Sequence, residues 1–331
     1  MNLTTRWLGL NLKHPIMPGA SPLVEDLDMV ARLEDAGASA IVMHSLFEEQ
    51  MVHEQLASLH HMHAHAESHA EALSYFPETD VFGVGPHEYL EQIRRIRARV
   101  EVPVIASLNG HTVGGWLDYA RWMEEAGAHA LELNLYTLAT DPLKSADDTE
   151  AEALHIVRVV TESIRIPVAI KLSPFYTSLP FFVSQLKDAG AKGVILFNRF
   201  YQPDIDPETL ELRSELYYSE RQELLLRLRW LAILSGRVPI DLACTGGVHQ
   251  VQDALKAIMA GAHVVQLTSA LLKHGPEYLK GIVEGVQQWA EMHEYESMEQ
   301  LRGCMDMTRC PDPSTYERTN YLKVLRSWNR R

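Results

Sequence analysis

One lysine lies inside an otherwise apolar stretch, Pro-Val-Ala-Ile-Lys-Leu-Ser at residues 167–173. An ammonium group that is buried without a partner costs free energy, so Lys171 is expected to meet an anion or an electron-rich group. A lysine in such a place indicates a role in binding or catalysis. The alternative is that Lys171 ends a strand and extends its ammonium group into solvent, as long side chains readily do.

Two glycines and three hydroxyl residues indicate a phosphate site. Thr245-Gly246-Gly247 precedes a helix-like stretch, and Thr268-Ser269 ends a later apolar run. Glycines let backbone N–H groups approach an anion, and the start of a helix favours negative charge. The hydroxyl groups add further donors. These two segments are therefore predicted to hold a phosphate, the alternative being an ordinary turn followed by a helix cap.

Two asparagines also end apolar runs. Asn134 follows Ala-Leu-Glu-Leu, and Asn198 follows Gly-Val-Ile-Leu-Phe. A side-chain amide donates and accepts hydrogen bonds at once, which suits it to orient a heterocyclic ring. Either asparagine could instead be a local turn residue.

A weak internal repeat indicates which elements position these residues. The tripeptide Ala-Gly-Ala follows a helix-like stretch and precedes an apolar run four times, at residues 36–38, 126–128, 189–191 and 260–262. Glycine suits the left-handed residue that ends a helix, and the runs are typical of buried parallel strands. With the runs that begin with proline, the pattern predicts eight strands, at residues 15–17, 40–45, 103–108, 130–135, 167–173, 193–198, 239–247 and 263–269.

Amphipathic helices are predicted between the strands. Pro86 suits the first position of a helix over residues 86–100, and residues 249–260 also have helical apolar spacing. Strands that alternate with helices imply an α/β protein with a parallel sheet, and eight such units imply a (β/α)8 TIM barrel. A doubly wound open sheet is the alternative, but no GxGxxG motif follows the first strand to favour it.

The chain is expected to be one domain, residues 1–331, with long inserts at residues 46–85 and 199–218. These follow the second and sixth strands, and long loops at the carboxyl ends of barrel strands usually cover the active site. Ligands bind at that same end of the fold. The residues just past each run should form a polar ring there: Ala20, Ser21, His44, Ser45, Ser107, Asn109, Asn134, Thr137, Lys171, Asn198, Gly246, Gly247, Thr268 and Ser269.

Charge and composition argue against several classes of protein. The formal net charge of −14 disfavours nucleic acid or an anionic membrane as a main partner. No apolar run reaches the roughly 18 residues of a membrane span, and the amino terminus lacks the pattern of a signal peptide. Cys244, Cys304 and Cys310 form neither a disulfide framework nor a metal-binding motif, so a reducing cytoplasm is the expected location.

The order of these motifs resembles the dihydroorotate dehydrogenase family from about residue 3 to residue 303. The resemblance is carried by the opening Trp-Leu-Gly-Leu-Asn-Leu, by Glu-Leu-Asn-Leu, by the strand of Lys171 and by residues 244–272. It implies a barrel that binds FMN across its strand ends, with the phosphate at the last two loops. The predicted FMN site comprises Ala20, Ser21, Asn109, Asn134, Lys171, Asn198, Gly246, Gly247, Thr268 and Ser269.

The sequence departs from the family pattern on the substrate side. After the fourth strand the family has Asn-x-Ser-Cys-Pro-Asn, or Ser for Cys, and that Cys or Ser is the catalytic base. Here Thr137 stands at the base position, and Ala139 replaces the asparagine that normally contacts orotate. His44 replaces a lysine after the second strand, and Tyr75-Phe76-Pro77 stands where the family has Asn-x-Gly. These changes are similar to those of the divergent dihydroorotate dehydrogenase-like subgroup.

Thr137, Lys171 and His44 are the predicted catalytic residues. An alcohol is a poor general base because its pKa lies far from neutrality, and a β-branched side chain is stiff about χ1. The imidazole of His44 is chemically the better proton acceptor. Lys171 would stabilise the negative charge of a reduced flavin. In the alternative interpretation, Thr137 and His44 simply line the pocket.

Five histidines crowd the first insert, in Leu-His-His-Met-His-Ala-His-Ala-Glu-Ser-His. On a helix, His61, His65 and His69 would share one face, and this spacing can bind a transition metal. The simpler interpretation of the segment from His60 to His69 is a solvated, histidine-rich stretch. No metal is therefore assigned.

The resemblance implies an FMN-dependent oxidoreductase that acts on CH–CH donors, with dihydroorotate, an intermediate of pyrimidine biosynthesis, as the family's small-molecule substrate. Two alternatives stay open. One is an FMN-binding protein of the same fold that acts on another substrate or as a partner protein; the other is a colourless phosphate-binding barrel, such as an aldolase or isomerase. A homodimer is expected because related barrels often dimerise. A separate electron-acceptor protein is expected because the sequence has no iron–sulfur motif of its own.

Overall fold

The computed structural model describes residues 1–47, 86–110, 113–135, 138–199, 202–213, 215–317 and 320–327. Within these ranges the strands are β1 (Thr5–Trp7), β2 (Leu10–Leu12), β3 (Ile16–Pro18), β4 (Ile41–Phe47), β5 (Val104–Asn109), β6 (Ala130–Asn134), β7 (Val168–Leu172), β8 (Gly193–Leu196), β9 (Asp204–Asp206), β10 (Glu211–Arg213), β11 (Asp241–Thr245) and β12 (Val264–Leu267).

Helices follow most strands of the main sheet. They are α1 (Leu27–Asp35), α2 (Pro86–Arg99), α3 (Val113–Glu125), α4 (Ala146–Ser163), α5 (Leu179–Asp188), α6 (Leu224–Leu234), α7 (Val251–Met259), α8 (Ser269–His274), α9 (Tyr278–Met292), α10 (Met298–Leu301) and α11 (Asn320–Arg326). Short 3-10 turns lie at Pro22–Val24, Arg221–Glu223 and Pro313–Tyr316.

The main sheet is a nearly closed (β/α)8 barrel, which confirms the predicted fold class. Its eight parallel strands follow the order β3-β12-β11-β8-β7-β6-β5-β4. At the remaining seam, the backbone N–H of Ser39 donates to the carbonyl of Ile16 at 3.3 Å, and the Ser39 hydroxyl donates to the same oxygen at 2.7 Å. All eight predicted strands are present, and each end lies within two residues of its predicted position.

The Ala-Gly-Ala repeats end helices as predicted. Their glycines, Gly37, Gly127, Gly190 and Gly261, have φ values of 96°, 97°, 101° and 119°. In each repeat the amide of the second alanine donates to the carbonyl five residues earlier, for example from Ala38 to Leu33 at 2.9 Å. This hydrogen bond is the one that closes a helix end after a left-handed residue. Each repeat therefore turns the chain from a helix directly into the next barrel strand.

A short amino-terminal hairpin, which the sequence pattern did not predict, closes one end of the barrel. β1 and β2 pair antiparallel, and Trp7, Leu8 and Leu12 pack with the small side chains inside the barrel. A Cβ atom on Gly193 would lie only 2.7 Å from Leu8 Cδ2 and 2.8 Å from Trp7 Cη2, so glycine makes room for this plug. The apolar plug fills the amino end of the barrel, while the polar residues gather at the carboxyl end.

The second predicted insert contains its own hairpin, in which β9 pairs antiparallel with β10. The chain then returns to the barrel through residues 215–219 and enters α6. The first predicted insert, at residues 46–85, lies outside the described residues except for its first two positions. None of the described helices is long and apolar enough to cross a membrane.

Candidate active site

A cavity of about 620 Å³ opens at the carboxyl ends of the barrel strands. Nine of the ten predicted FMN-site residues line it: Ala20, Ser21, Asn109, Asn134, Lys171, Asn198, Gly246, Thr268 and Ser269. His44 lines the same cavity. The exception is Gly247, whose backbone N–H donates to the Ser219 hydroxyl at 3.1 Å behind the lining.

Lys171 meets a carboxylate. Its Nζ donates to Glu132 Oε1 at 2.8 Å, and the amide of Gln266 donates to Glu132 Oε2 at 2.9 Å. The Glu132 and Gln266 side chains are buried, and Lys171 is 8% exposed. β6 and β7 bring the pair together, since Glu132 and Lys171 lie on adjacent parallel strands. Lys171 thus has a fixed carboxylate partner at the cavity wall, which offsets part of the free-energy cost of burying its ammonium group.

Two serines and an amide form a second polar cluster. Asn134 Nδ2 donates to Ser107 Oγ at 3.0 Å, to the Leu108 carbonyl at 3.1 Å and to Ser45 Oγ at 3.2 Å. The two serine hydroxyls lie 2.9 Å apart. With its amide nitrogen engaged in this way, Asn134 has a fixed orientation at the end of β6. No donor among the described residues is bonded to its carbonyl oxygen, which remains available as an acceptor.

His44 is held as an uncharged imidazole. Burial lowers its pKa to about 4, and its Nδ1 is buried with no hydrogen-bond partner among the described residues. The ring packs edge-on against Tyr89, with 5.0 Å between centroids. The Tyr89 hydroxyl lies 2.9 Å from the His44 carbonyl and 3.0 Å from the Ser107 carbonyl, and accepts from the Ser107 N–H. Tyr89 therefore joins β4 to β5 directly beneath the cavity.

The loop after β11 needs both of its glycines. Gly246 and Gly247 have φ values of 86° and 78°, in the left-handed region that glycine favours. A Cβ atom on Gly246 would lie 2.8 Å from Arg227 Nη2, and one on Gly247 would lie 2.5 Å from the backbone nitrogen of Leu224. The start of α6 therefore packs against this loop closely enough to exclude any side chain there.

Ser219, the first residue after the predicted second insert, ties the last two loops together. Its backbone N–H and its hydroxyl both donate to Ser269 Oγ at 3.0 Å, and its Oγ accepts from the Gly247 N–H. His249 Nε2 lies 2.6 Å from the Ser219 carbonyl. Residues 216–218 line the cavity beside Ser219. Ser219 thus contacts both segments that the sequence predicts to hold a phosphate.

Two arginines line this end of the cavity and share one carboxylate. Arg227 Nη2 lies 3.8 Å from Glu223 Oε2, and Arg199 Nη2 lies 3.7 Å from Glu223 Oε1. Together with Lys171 they give the described part of the lining three cationic side chains. Each has a carboxylate beside it, Glu132 for Lys171 and Glu223 for the two arginines. Cationic groups thus reach the cavity in a chain whose net charge is −14, and such groups can contact an anionic ligand.

Comparison with known proteins shows which family this chain belongs to. The family model for dihydroorotate dehydrogenase matches residues 83–289, which is more than half of the chain. The chain belongs to the dihydroorotate dehydrogenase family. This confirms the resemblance drawn from the sequence motifs, and it makes the protein a dihydroorotate dehydrogenase-like oxidoreductase.

Individual relatives are similar at modest identity. A dihydroorotate dehydrogenase A (fumarate) of Aeropyrum pernix, whose own name is provisional, is 31% identical over 66% of this chain and 72% of the relative. The catalytic subunit of a dihydroorotate dehydrogenase B (NAD(+)) of Citrifermentans bemidjiense is 26% identical over 68% of this chain and 75% of the relative. A B-type catalytic subunit of Methanothermobacter thermautotrophicus is 26% identical over 61% of this chain.

Two features predicted for this dihydroorotate dehydrogenase-like chain lie outside the described residues. Thr137, at the position of the family's base, is one of them, and the histidine-rich stretch from His60 to His69 is the other. Their roles remain predictions. Among the residues that the structure does describe, no group of three or more His, Cys, Asp or Glu side chains could hold a metal ion.

Sequence reasoning missed several charged residues of the site, and two of them, Glu132 and Arg227, differ in the signal that the sequence gives. Glu132 gives a usable signal, because a carboxylate inside the apolar run Ala-Leu-Glu-Leu-Asn needs a partner as much as Lys171 does. Arg227 gives none. It lies in Leu-Leu-Leu-Arg-Leu-Arg-Trp, where the sequence does not distinguish a buried arginine from the exposed Arg229 two residues later.

Proposed function

We propose that this chain is an FMN-dependent oxidoreductase that oxidises a CH–CH bond of a small anionic substrate of the dihydroorotate type. The observation that carries the proposal is the polar cavity at the strand ends, whose lining includes Lys171 and Arg227. It has a carboxylate-held lysine at one wall and a two-glycine loop with hydroxyl residues at the other. A ring system and a phosphate are the two chemical groups that such walls suit.

The residues of the cavity fit FMN. Its volume of about 620 Å³ lies within the range of cofactor and small-molecule sites. Among the described residues, Gln266 Oε1 is buried without a hydrogen-bond partner, and no donor is bonded to the Asn134 carbonyl oxygen. Acceptors of this kind suit the N–H groups of a flavin ring. The residues that would hold FMN are Ala20, Ser21, Asn109, Asn134, Lys171, Asn198, Gly246, Gly247, Thr268 and Ser269.

FMN held by these residues would supply hydride acceptance, which is chemistry that the polypeptide cannot supply. Lys171 would stabilise the negative charge of a reduced ring, and Glu132 holds its Nζ in place at 2.8 Å. Asn134 presents its carbonyl oxygen in one orientation because its amide nitrogen is fixed by Ser45 and Ser107. These contacts orient a ring before any substrate arrives.

The substrate side differs from the family pattern in its charge. His44 stands where the family pattern has a lysine, and its low pKa keeps the imidazole uncharged at neutral pH. An uncharged ring can donate or accept one hydrogen bond, but it cannot neutralise a carboxylate as a lysine would. If the substrate is carboxylated, its counter-charge must come from another residue. His44 and Thr137 are the candidates for moving the substrate proton, with Thr137 the weaker base.

The electron acceptor is proposed to be a separate molecule. Several relatives are named as the catalytic subunit of a dihydroorotate dehydrogenase B (NAD(+)), a name that implies at least one further subunit in those proteins. For this chain we propose an acceptor protein or a small soluble acceptor. The single-domain organisation of residues 1–331, a homodimer and a cytoplasmic location are part of the same proposal.

The visible spectrum of the purified protein, followed by anaerobic addition of dihydroorotate, tests the proposal. A yellow protein that bleaches on addition would support a dihydroorotate dehydrogenase with an altered base. A yellow protein that stays yellow would restrict the proposal to the flavin site and move the search to other substrates. A protein that is colourless and does not bind added FMN would refute it.

A further inference from the structure

Arg227 is a buried cation at the end of the cavity where a phosphate is expected. It lies one turn into α6, and its residue is 5% exposed. Its guanidinium packs against Gly246, because a Cβ atom there would come within 3.1 Å of Cζ and Nε as well as 2.8 Å of Nη2. The same side chain lines the cavity. Arg227 is therefore part of the wall, behind the loop that the two glycines form.

Two of its nitrogens are fixed by backbone carbonyls. Nε donates to the carbonyl of Thr245 at 2.6 Å, and Nη1 donates to the carbonyl of Glu223 at 2.7 Å. These contacts set the plane of the guanidinium. Among the described residues, Nη2 has only the Glu223 carboxylate at 3.8 Å, which is beyond hydrogen-bond distance. The third nitrogen is thus oriented by the other two and left without a close acceptor.

The remaining donors near this loop are partly committed to one another. The N–H of Gly247 donates to Ser219 Oγ, and the N–H and hydroxyl of Ser219 donate to Ser269 Oγ. A dianionic phosphate needs several donors and a nearby positive charge. Arg227 supplies that charge at a fixed position. Burial lowers the pKa of its guanidinium, but an arginine stays protonated in a protein.

We propose that Arg227 recognises the phosphate of the bound flavin through Nη2 and so makes this chain select FMN over riboflavin, which has the same ring but no phosphate. This inference rests on the proposed flavin function. It assigns a specificity-determining role to a residue outside the glycine and hydroxyl segments that the sequence indicates. Glu223 then acts as a positioning residue, since its backbone carbonyl holds Nη1.

The test compares the binding of FMN and riboflavin to flavin-stripped protein, followed by the quenching of flavin fluorescence. Arg227→Gln is expected to weaken the affinity for FMN about 10- to 100-fold, the range for a hydrogen bond between charged groups. It should change the affinity for riboflavin less than about threefold. Arg229→Gln, an exposed change in the same helix, is the matched control and should leave both affinities unaltered. The ratio of the two affinities does not depend on the folded fraction, because both ligands report on the same folded protein.

Arg227→Lys keeps the experiment decisive if the glutamine variant does not fold. Lysine retains the charge but not the planar fork, so the ratio of FMN to riboflavin affinity should fall by at least about threefold. An unchanged ratio in the folded variants, with FMN still bound by the wild type, would overturn the role of Arg227 and leave the flavin proposal intact. Failure of the wild type to bind either flavin would overturn both.

Discussion

Replacing Glu132 by glutamine is expected to destabilise the barrel by about 3–5 kcal/mol. The Glu132 carboxylate is fully buried and accepts from Lys171 at 2.8 Å and from Gln266 at 2.9 Å. Glutamine preserves the shape but removes the charge. Lys171, at 8% exposure, is then left as a buried cation with no anion, and this uncompensated charge is what makes the loss of one partner costly.

Equilibrium urea denaturation at neutral pH measures this effect. All variants should be stripped of flavin, because a ligand that binds only the native state adds to its apparent stability. The double variant Glu132→Gln with Lys171→Met buries neither charge. Its loss of unfolding free energy should therefore be smaller than the sum of the losses in the two single variants, by about 1–3 kcal/mol. Glu277→Gln is the control. The Arg32–Glu277 pair has a similar distance, 2.7 Å, but both side chains are more than half exposed, so its midpoint should not change.

The reasoning would be refuted by a loss below about 1 kcal/mol for Glu132→Gln together with additive single and double variants. That outcome would mean that solvent in the cavity compensates the Lys171 charge without Glu132. It would also remove the basis for treating Glu132 as the residue that positions Lys171 Nζ.

Four further predictions follow from individual side chains. Burial lowers the pKa of both His44 and His263 to about 4, so between about pH 6.5 and 4 the unfolded chain binds protons that the native state does not. The free energy of unfolding should therefore fall over this pH range by about 3 kcal/mol for each imidazole. In His44→Gln and His263→Gln, the urea midpoint should depend less steeply on pH than in the wild type. Lys171→Ala should alter the absorbance and redox potential of bound flavin, and an unchanged flavin would contradict its role. Burial raises the pKa of Cys244 to about 12, so this thiol should not react with a disulfide reagent in the native protein, whereas rapid reaction of all three cysteines would show that the site opens. Thr137→Ala should leave any dihydroorotate turnover low and little altered, and a drop of several orders of magnitude would identify Thr137 as the base.

The barrel could be predicted from the sequence because its strands are buried on both faces. Such strands read as continuous apolar runs, and the Ala-Gly-Ala repeats fix where four of them begin. The hairpin of β1 and β2 escaped prediction for a physical reason. Each of its strands has three residues, too few for an alternating pattern, and its contribution is the packing of Trp7 and Leu8 against Gly193, which only the folded structure brings together.

The polar ring could be predicted because parallel strands all end at the same side of a barrel. Lys171, Asn134 and the loop glycines follow from that rule without knowledge of any contact. The hydrogen-bond partners of these residues do not follow from that rule. Glu132 reaches Lys171 across two neighbouring strands, and Ser219, just after the second insert, reaches Ser269 from 50 residues earlier in the chain. Pairings at this sequence distance depend on strand register and on the path of the loop.

The cations of the cavity differ in how closely a carboxylate contacts them, and this difference bears on how an anion would bind. Lys171 is held by Glu132 at 2.8 Å, within hydrogen-bond distance, whereas Arg227 and Arg199 lie 3.8 and 3.7 Å from the one carboxylate of Glu223. The first charge is therefore compensated by the protein itself and can act on a ring without requiring an anion. Arg227 Nη2 lies beyond hydrogen-bond distance of the Glu223 carboxylate. An incoming dianion therefore gains more at Arg227 than at Lys171, and this difference favours a ligand that carries a phosphate at one end and a neutral ring at the other.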